Sequence, residues 1–173
     1  GAPPAQILLD ALGATAGSSL AFQRVGMANV DLSLYGDPSA LAFLYLDTGL
    51  AADAVDIQAL PAQYYSVNYL TEGDTFVIGS DPTGLVGDMR AIHGNIDVHS
   101  TTPVTVIADD SADPEAREVY VENGLYDPAY VAVVGMAAAS MTFNVPAGSN
   151  VWLRGGRGDD TFRIVRNDAA NPV

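Results

Sequence analysis

A chain of 173 residues that is 49% apolar can build one domain with its own core, and no apolar run approaches the roughly 18 residues a membrane-spanning helix needs. Twenty-one Asp and Glu against seven Arg and no Lys leave a net charge of −14, which repels a phosphate backbone, so neither nucleic acid nor membrane insertion is expected. The absence of cysteine removes disulfides and thiolate metal sites.

The chain opens on Gly1-Ala2-Pro3-Pro4, without Met or a leader pattern, and this reads as a processed boundary. Residues 5–12 carry an apolar stripe of Ile7, Leu8, Ala11 and Leu12, which suits a short helix or a terminal strand. From there on the pattern is that of short strands: 30–35, 42–46, 54–57, 65–70, 75–78, 95–98, 104–107, 118–121, 130–134, 141–145, 150–153 and 161–165. Many alternate strictly. Val30, Leu32 and Leu34 fall on one face and Asp31 and Ser33 on the other, as a strand with one buried face requires. Gly36-Asp37-Pro38, Asp81-Pro82-Thr83-Gly84, Asp127-Pro128 and Pro146-Ala147-Gly148 punctuate the runs with turn formers. Strand starts recur roughly every ten residues, a rhythm shared by sandwiches, barrels and solenoids.

An internal repeat selects among these. Val25-Gly26-Met27-Ala28 returns as Val134-Gly135-Met136-Ala137. At nearly the same offset, Phe43-Leu44-Tyr45-Leu46 faces Asn150-Val151-Trp152-Leu153, and Asp53-Ala54-Val55-Asp56-Ile57 faces Asp160-Thr161-Phe162-Arg163-Ile164. The chain is thus expected to be one segment over 1–173, with a cassette of about 109 residues (about 7–115) and a partial second copy (116–173). Stacked repeats bury a continuous core that no single unit can bury. The expected fold is all-β, a parallel β-helix or β-solenoid of short strands joined by Gly/Asp/Pro turns.

Gly155-Gly156-Arg157-Gly158-Asp159-Asp160-Thr161-Phe162-Arg163 fits the nonapeptide G-G-x-G-x-D-x-U-x at every fixed position, U being a large apolar residue. The glycines permit positive φ, Asp160 offers a hard oxygen suited to Ca²⁺, and Phe162 is expected to enter the core. This segment resembles the calcium-binding RTX-like repeats. With Glu72-Gly73-Asp74-Thr75-Phe76-Val77-Ile78 and Val104-Thr105-Val106-Ile107-Ala108-Asp109-Asp110-Ser111, it is still more similar to the long bacterial surface proteins built of degenerate G-D-D-T-F-x-V strand repeats. The resemblance implies a parallel β-helix, an extracellular or cell-surface location, and neighbouring repeats of the same parent chain as partners. Calcium is the cofactor it implies, held by Gly155, Gly156, Gly158 and Asp160, with Asp74 and Asp53 in degenerate copies. The other reading of the same residues is a glycine-rich turn with a capping Asp and no ion.

Further residues admit chemistry beside a plainer role. Arg157-Gly158-Asp159 spells an integrin-type tripeptide, but the glycine motif already accounts for Gly158. Asp97 and His99 share a strand face, with His93 nearby, as an incomplete metal site or a solvent-facing pair. Asp109, Asp110, Asp113, Glu115 and Glu118 surround Pro114 as a solvated loop, a calcium-buffering loop, or carboxylates for glycoside chemistry. Arg154, Arg157, Arg163 and Arg166 form a basic patch, either ordinary surface or a match for acidic loops of an adjoining layer or chain. Trp152 aligns with Tyr45 and, like Tyr64, Tyr65 and Tyr69, suits a core position or an aromatic sugar platform. Neither a nucleophile elbow nor a phosphate-binding loop occurs. The expected function is a structural or adhesive repeat module, not an enzyme. The alternative is a carbohydrate-binding or polysaccharide-acting domain, with surface polysaccharide or protein as partner.

Overall fold

A computed structural model describes residues 6–11, 19–24, 30–33, 42–48, 52–79, 86–123 and 130–166. The chain is all-β, with no helix among the described residues. The fourteen strands among the described residues run in order as β1 (Gln6–Ala11), β2 (Ser19–Arg24), β3 (Val30–Ser33), β4 (Ala42–Asp47) and β5 (Ala54–Ile57). They continue as β6 (Tyr64–Leu70), β7 (Thr75–Ile78), β8 (Asn95–Ser100), β9 (Thr105–Asp109) and β10 (Glu118–Asn123). The last four are β11 (Tyr130–Val134), β12 (Met141–Asn144), β13 (Asn150–Arg154) and β14 (Thr161–Arg166). The stretch 5–12, open to two readings from sequence, contains the strand β1. The 25–28 member of the repeated tetrapeptide and the expected turns 36–38, 81–84 and 127–128 lie outside the described residues.

The strands form two seven-stranded sheets. The first has the order β13-β9-β7-β5-β1-β2-β3, and the second β14-β10-β11-β12-β8-β6-β4. From β4 to β9 the chain changes sheet at every strand, and neighbours in each sheet are parallel and in register. Register brings like onto like. Val55, Phe76, Val106 and Val151 stack across the first sheet, beside Ile57, Ile78, Ala108 and Leu153. In the second sheet Leu46, Asn68, Val98 and Phe143 stack in the same way. Side chains from both sheets join in one apolar core, in which Phe76, Ile57, Ile96 and Phe143 are fully buried. Each such side chain contributes about 2 kcal/mol on leaving water.

Two polar residues point inward. Ser66 Oγ donates to Asn68 Oδ1 at 3.2 Å, and Asn68 Nδ2 donates to the Asp97 carbonyl at 2.9 Å, so neither interrupts the core unsatisfied. The parallel ladders agree with the sequence expectation, but two antiparallel meanders, β1-β2-β3 and β10-β11-β12, do not follow from it. Both share one pattern. The first strand of each pairs in parallel with a later strand: β1 with β5, and β10 with β14. At the end of β11, Gly135 takes φ 93°, and a Cβ there would lie 2.2 Å from the Glu118 carbonyl oxygen, so only glycine turns the chain at that point.

Candidate functional site

In the turns that carried the metal expectation, Asp carboxylates accept backbone N–H groups from turns earlier in the chain. Asp74 is 1% exposed. Its Oδ1 accepts the Asp53 N–H at 2.7 Å, and its Oδ2 accepts the Thr71 N–H at 2.7 Å and the Thr48 hydroxyl. Asp110 repeats the device, with Oδ1 accepting the Met89 N–H at 2.8 Å, and so does Asp160, whose Oδ1 accepts the Arg117 N–H at 2.9 Å. Each carboxylate thus satisfies a backbone donor of the preceding layer, the role of a capping Asp. Among the described residues, Asp53 lies beside Asp74, Gly156, Gly158 and Asp160 lie beside the Asp110–Arg117 turn, and Gly155 lies against Asp160 and Phe162. No group of three or more Asp, Glu or His is arranged to hold a metal ion among the described residues.

The glycines of the nonapeptide have a different physical reason from the one expected. Positive φ occurs at Gly73, Gly79, Gly135 and Gly148, and not at Gly155, Gly156 or Gly158. Instead the turn is pressed on the layer below. A Cβ at Gly156 would meet the Asp113 carbonyl oxygen at 2.3 Å, and one at Gly158 the Glu115 carbonyl oxygen at 2.5 Å. The Arg157 N–H donates to that Asp113 carbonyl at 2.7 Å. Phe162, expected in the core, is 41% exposed, because β14 is the last strand of its sheet and nothing covers its outer edge among the described residues.

The acidic segment around Pro114 divides: Pro114, Glu115 and Glu118 are exposed, as a solvated loop requires, whereas its three Asp are buried. Asp109, Asp110 and Asp113 are at most 1% exposed. Asp109 pairs with Arg154 at 3.1 Å, and Asp113 pairs with Arg117 at 2.6 Å. Burial pushes the Asp110 carboxyl up to about 6. Arg163, on the exposed side of β14, pairs with Glu118.

Aromatic and polar side chains concentrate on the outer face of the second sheet, at the positions between the core residues. Three rows cross β4, β6, β8 and β12. One places Phe43, Tyr65 and Asn95 side by side, the next Tyr45, Val67, Asp97 and Thr142, and the third Asp47, Tyr69, His99 and Asn144. Phe43 and Tyr45 stack at 6.1 Å between ring centroids, Phe43 meets Tyr65 at 5.5 Å, and Tyr69 stacks on His99 at 5.4 Å. These rings remain open to solvent, with Phe43 at 55%, Tyr45 at 66% and Tyr69 at 47%. The Tyr65 hydroxyl donates to Asp97 Oδ2 at 2.7 Å, and His99 Nε2 lies 3.9 Å from the same oxygen. Burial, and then this hydrogen bond, push the Tyr65 phenol up to about 12, so it remains a donor at neutral pH. Beside the third row a cleft of about 510 Å³ is lined by Asp47, Tyr69, Thr71, His99, Thr101 and Asn144.

The Asp97–His99 pair thus belongs to this face, whereas His93 sits in the turn before β8. Of the ambiguous tyrosines, Tyr64 is buried and Tyr69 exposed, while Tyr65 is half-buried. Trp152 points outward on the first sheet at 55%, away from these rows. The signal available in the sequence was the alternation Phe43-Leu44-Tyr45 and Tyr65-Ser66-Val67-Asn68-Tyr69, but only the register across strands assembles the rings. The chain matches no family model, no curated protein and no solved structure.

Proposed function

We propose that the chain is an adhesive segment of a parallel β-solenoid from a secreted or cell-surface protein, and that it binds glycan on the outer face of its second sheet. The sheet-to-sheet alternation of β4 to β9 supports the solenoid reading: each pair of strands forms one rung, and the capping Asp of one turn fastens it to the rung before. The observation that carries the function is the outward row of Phe43, Tyr45, Tyr65 and Tyr69 flanked by Asp47 and Asp97. Aromatic faces bury the C–H patches of a sugar ring, and carboxylates accept its hydroxyl protons in charge-assisted bonds. The rings sit on β4 and β6, and Asp97, His99, Thr142 and Asn144 continue the face across β8 and β12, an extended surface that suits a linear polysaccharide more than a single small sugar.

Binding rather than turnover is the role that fits Asp97, whose carboxylate already accepts the Tyr65 hydroxyl. Calcium has no part in this reading, because the capping carboxylates take protein donors. A glycan array probed with the full chain tests the proposal. Binding to one class of polysaccharide is expected, with at least a tenfold loss of affinity for Tyr69→Ala and for Phe43→Ala and no product release. Absence of glycan binding, or affinity indifferent to both variants, overturns it.

A further inference from the structure

The outer edges of β13 and β14 leave apolar side chains uncovered that have a fully covered counterpart earlier in the chain. The register makes the comparison. Val55 and Ile57 of β5 face β1 through Ile7 and Leu9, and Phe162 and Ile164 of β14 face β10 through Val119 and Val121. The meanders that start at β1 and β10 pair alike, so β4-β5 and β13-β14 hold equivalent places. Yet Val55 and Ile57 are 0% exposed, whereas Phe162 is 41% and Ile164 is 80% exposed. The difference is one rung. β6 and β7 lie on β4 and β5 in parallel register, Tyr64 beside Ala42 and Thr75 beside Ala54, and among the described residues no strand lies on the outer edges of β13 and β14.

We propose that this edge is a docking surface for a rung of the β6–β7 type, supplied by a further copy of the same cassette. The inference rests on the solenoid reading above. The occupant is specified by what β6–β7 supplies at the equivalent place: Phe76 over Val55, Ile78 over Ile57, and the carboxylate of Asp74 on the backbone N–H of Asp53, the residue equivalent to Asp160. Charge agrees with this choice. Arg157 stands in the turn between β13 and β14, where Arg154 and Arg163 are already paired with Asp109 and Glu118, and a rung of this type brings Glu72 in its turn. The cassette also changes face. β4 belongs to the second sheet and its equivalent β13 to the first, so the next copy presents its outer aromatic row, begun by Trp152, on the opposite side.

The test replaces residues 165–173 by residues 58–109, joined directly after Ile164 in the order in which 58 follows 57. Amide hydrogen exchange is then read by mass spectrometry. Strands β13 and β14 and the appended strands are expected to exchange at least tenfold more slowly than β13 and β14 do in the parent chain, and Ile164→Asp in the extended chain should abolish the gain. Appended strands that exchange at unstructured rates, while residues 54–109 keep their protection, overturn the inference and leave the solenoid reading standing. Loss of protection across 54–109 of the parent chain counts against the solenoid reading itself. A free peptide of residues 58–79 added to the parent chain gives the same readout should the extended chain not fold: slowed exchange across 150–165 supports docking, and unchanged exchange at millimolar peptide refutes it.

Discussion

Replacing Asp74 by Ala measures what the capping carboxylate contributes. The side chain is 1% exposed and accepts two backbone N–H groups, from Asp53 and Thr71, each at 2.7 Å, together with the Thr48 hydroxyl. A hydrogen bond to a charged group contributes about 1.5–3 kcal/mol, and a buried donor left without a partner costs its full desolvation. Against this stands the relief of no longer burying a charge, which returns part of the loss. The balance is a destabilisation of about 3 kcal/mol. With a urea slope of about 2 kcal/mol per molar, the midpoint should fall by about 1.5 M. Asp74→Asn keeps one acceptor and turns an amide N–H₂ towards a donor, so about half that loss is expected. Equilibrium urea unfolding followed by far-ultraviolet circular dichroism, run once with millimolar Ca²⁺ and once with chelator, should give the same loss in both. A loss under 1 kcal/mol, or one confined to the calcium-containing buffer, would refute the hydrogen-bond account and make Asp74 an ion ligand.

Two further substitutions probe separate features. Asp110 has its carboxyl raised to about 6 by burial, above the ordinary value of 3.8. The folded chain therefore holds this proton more tightly than the unfolded chain does. The group's contribution is present in full below about pH 4 and is lost as the pH rises through 6. Wild type should lose stability between pH 5 and pH 7 relative to Asp110→Asn, as read by urea melts at the two values. Asp88 stays ionised in this window, since the hydrogen bond from Arg90 lowers it, and an equal gap at both pH values would contradict the assignment. Gly156→Ala should destabilise by about 2 kcal/mol or more, because its Cβ would stand 2.3 Å from the Asp113 carbonyl oxygen and backbone cannot yield as a side-chain tip does. A thermal melt within one degree of wild type would show that the two turns are less closely pressed than described.

Strand existence was largely legible in the sequence because alternation and turn residues are local, although β2 at Ser19–Arg24 was not among the expected strands. Thr75-Phe76-Val77-Ile78 declares an inward Phe76 and Ile78 on its own, and both are fully buried. Pairing direction was not legible. Nothing local distinguishes Glu118–Asn123, which runs antiparallel to the next strand, from Thr105–Asp109, which joins a parallel ladder, since both patterns have period two. The candidate site depends on the same non-local information. Phe43 and Tyr65 are about twenty residues apart, and only register sets them 5.5 Å from each other. The glycine motif pointed to the right turn for the wrong reason, because close approach between layers leaves the same residue signature as positive φ.

The acidic balance also changes meaning once burial is known. Read from composition, 21 acidic residues suggest a solubilising surface. Yet Asp53, Asp56, Asp74, Asp109, Asp110 and Asp113 are all buried, each at most 7% exposed. A chain that turns at the end of every short strand leaves backbone N–H groups at each corner, and the ladders within the sheets cannot reach them. Asp supplies two acceptors on a short stem, which is what Asp74, Asp110 and Asp160 do for the N–H groups of Asp53, Met89 and Arg117. At Asp74, which accepts with both oxygens, Asn would serve one donor fewer, and Glu would carry its oxygens a methylene further from the corner. Part of the net charge is therefore a consequence of architecture, and raising ionic strength should screen the exposed carboxylates without loosening these corners. Stability that is insensitive to salt but sensitive to Asp74→Ala is the signature that separates the two origins of the charge.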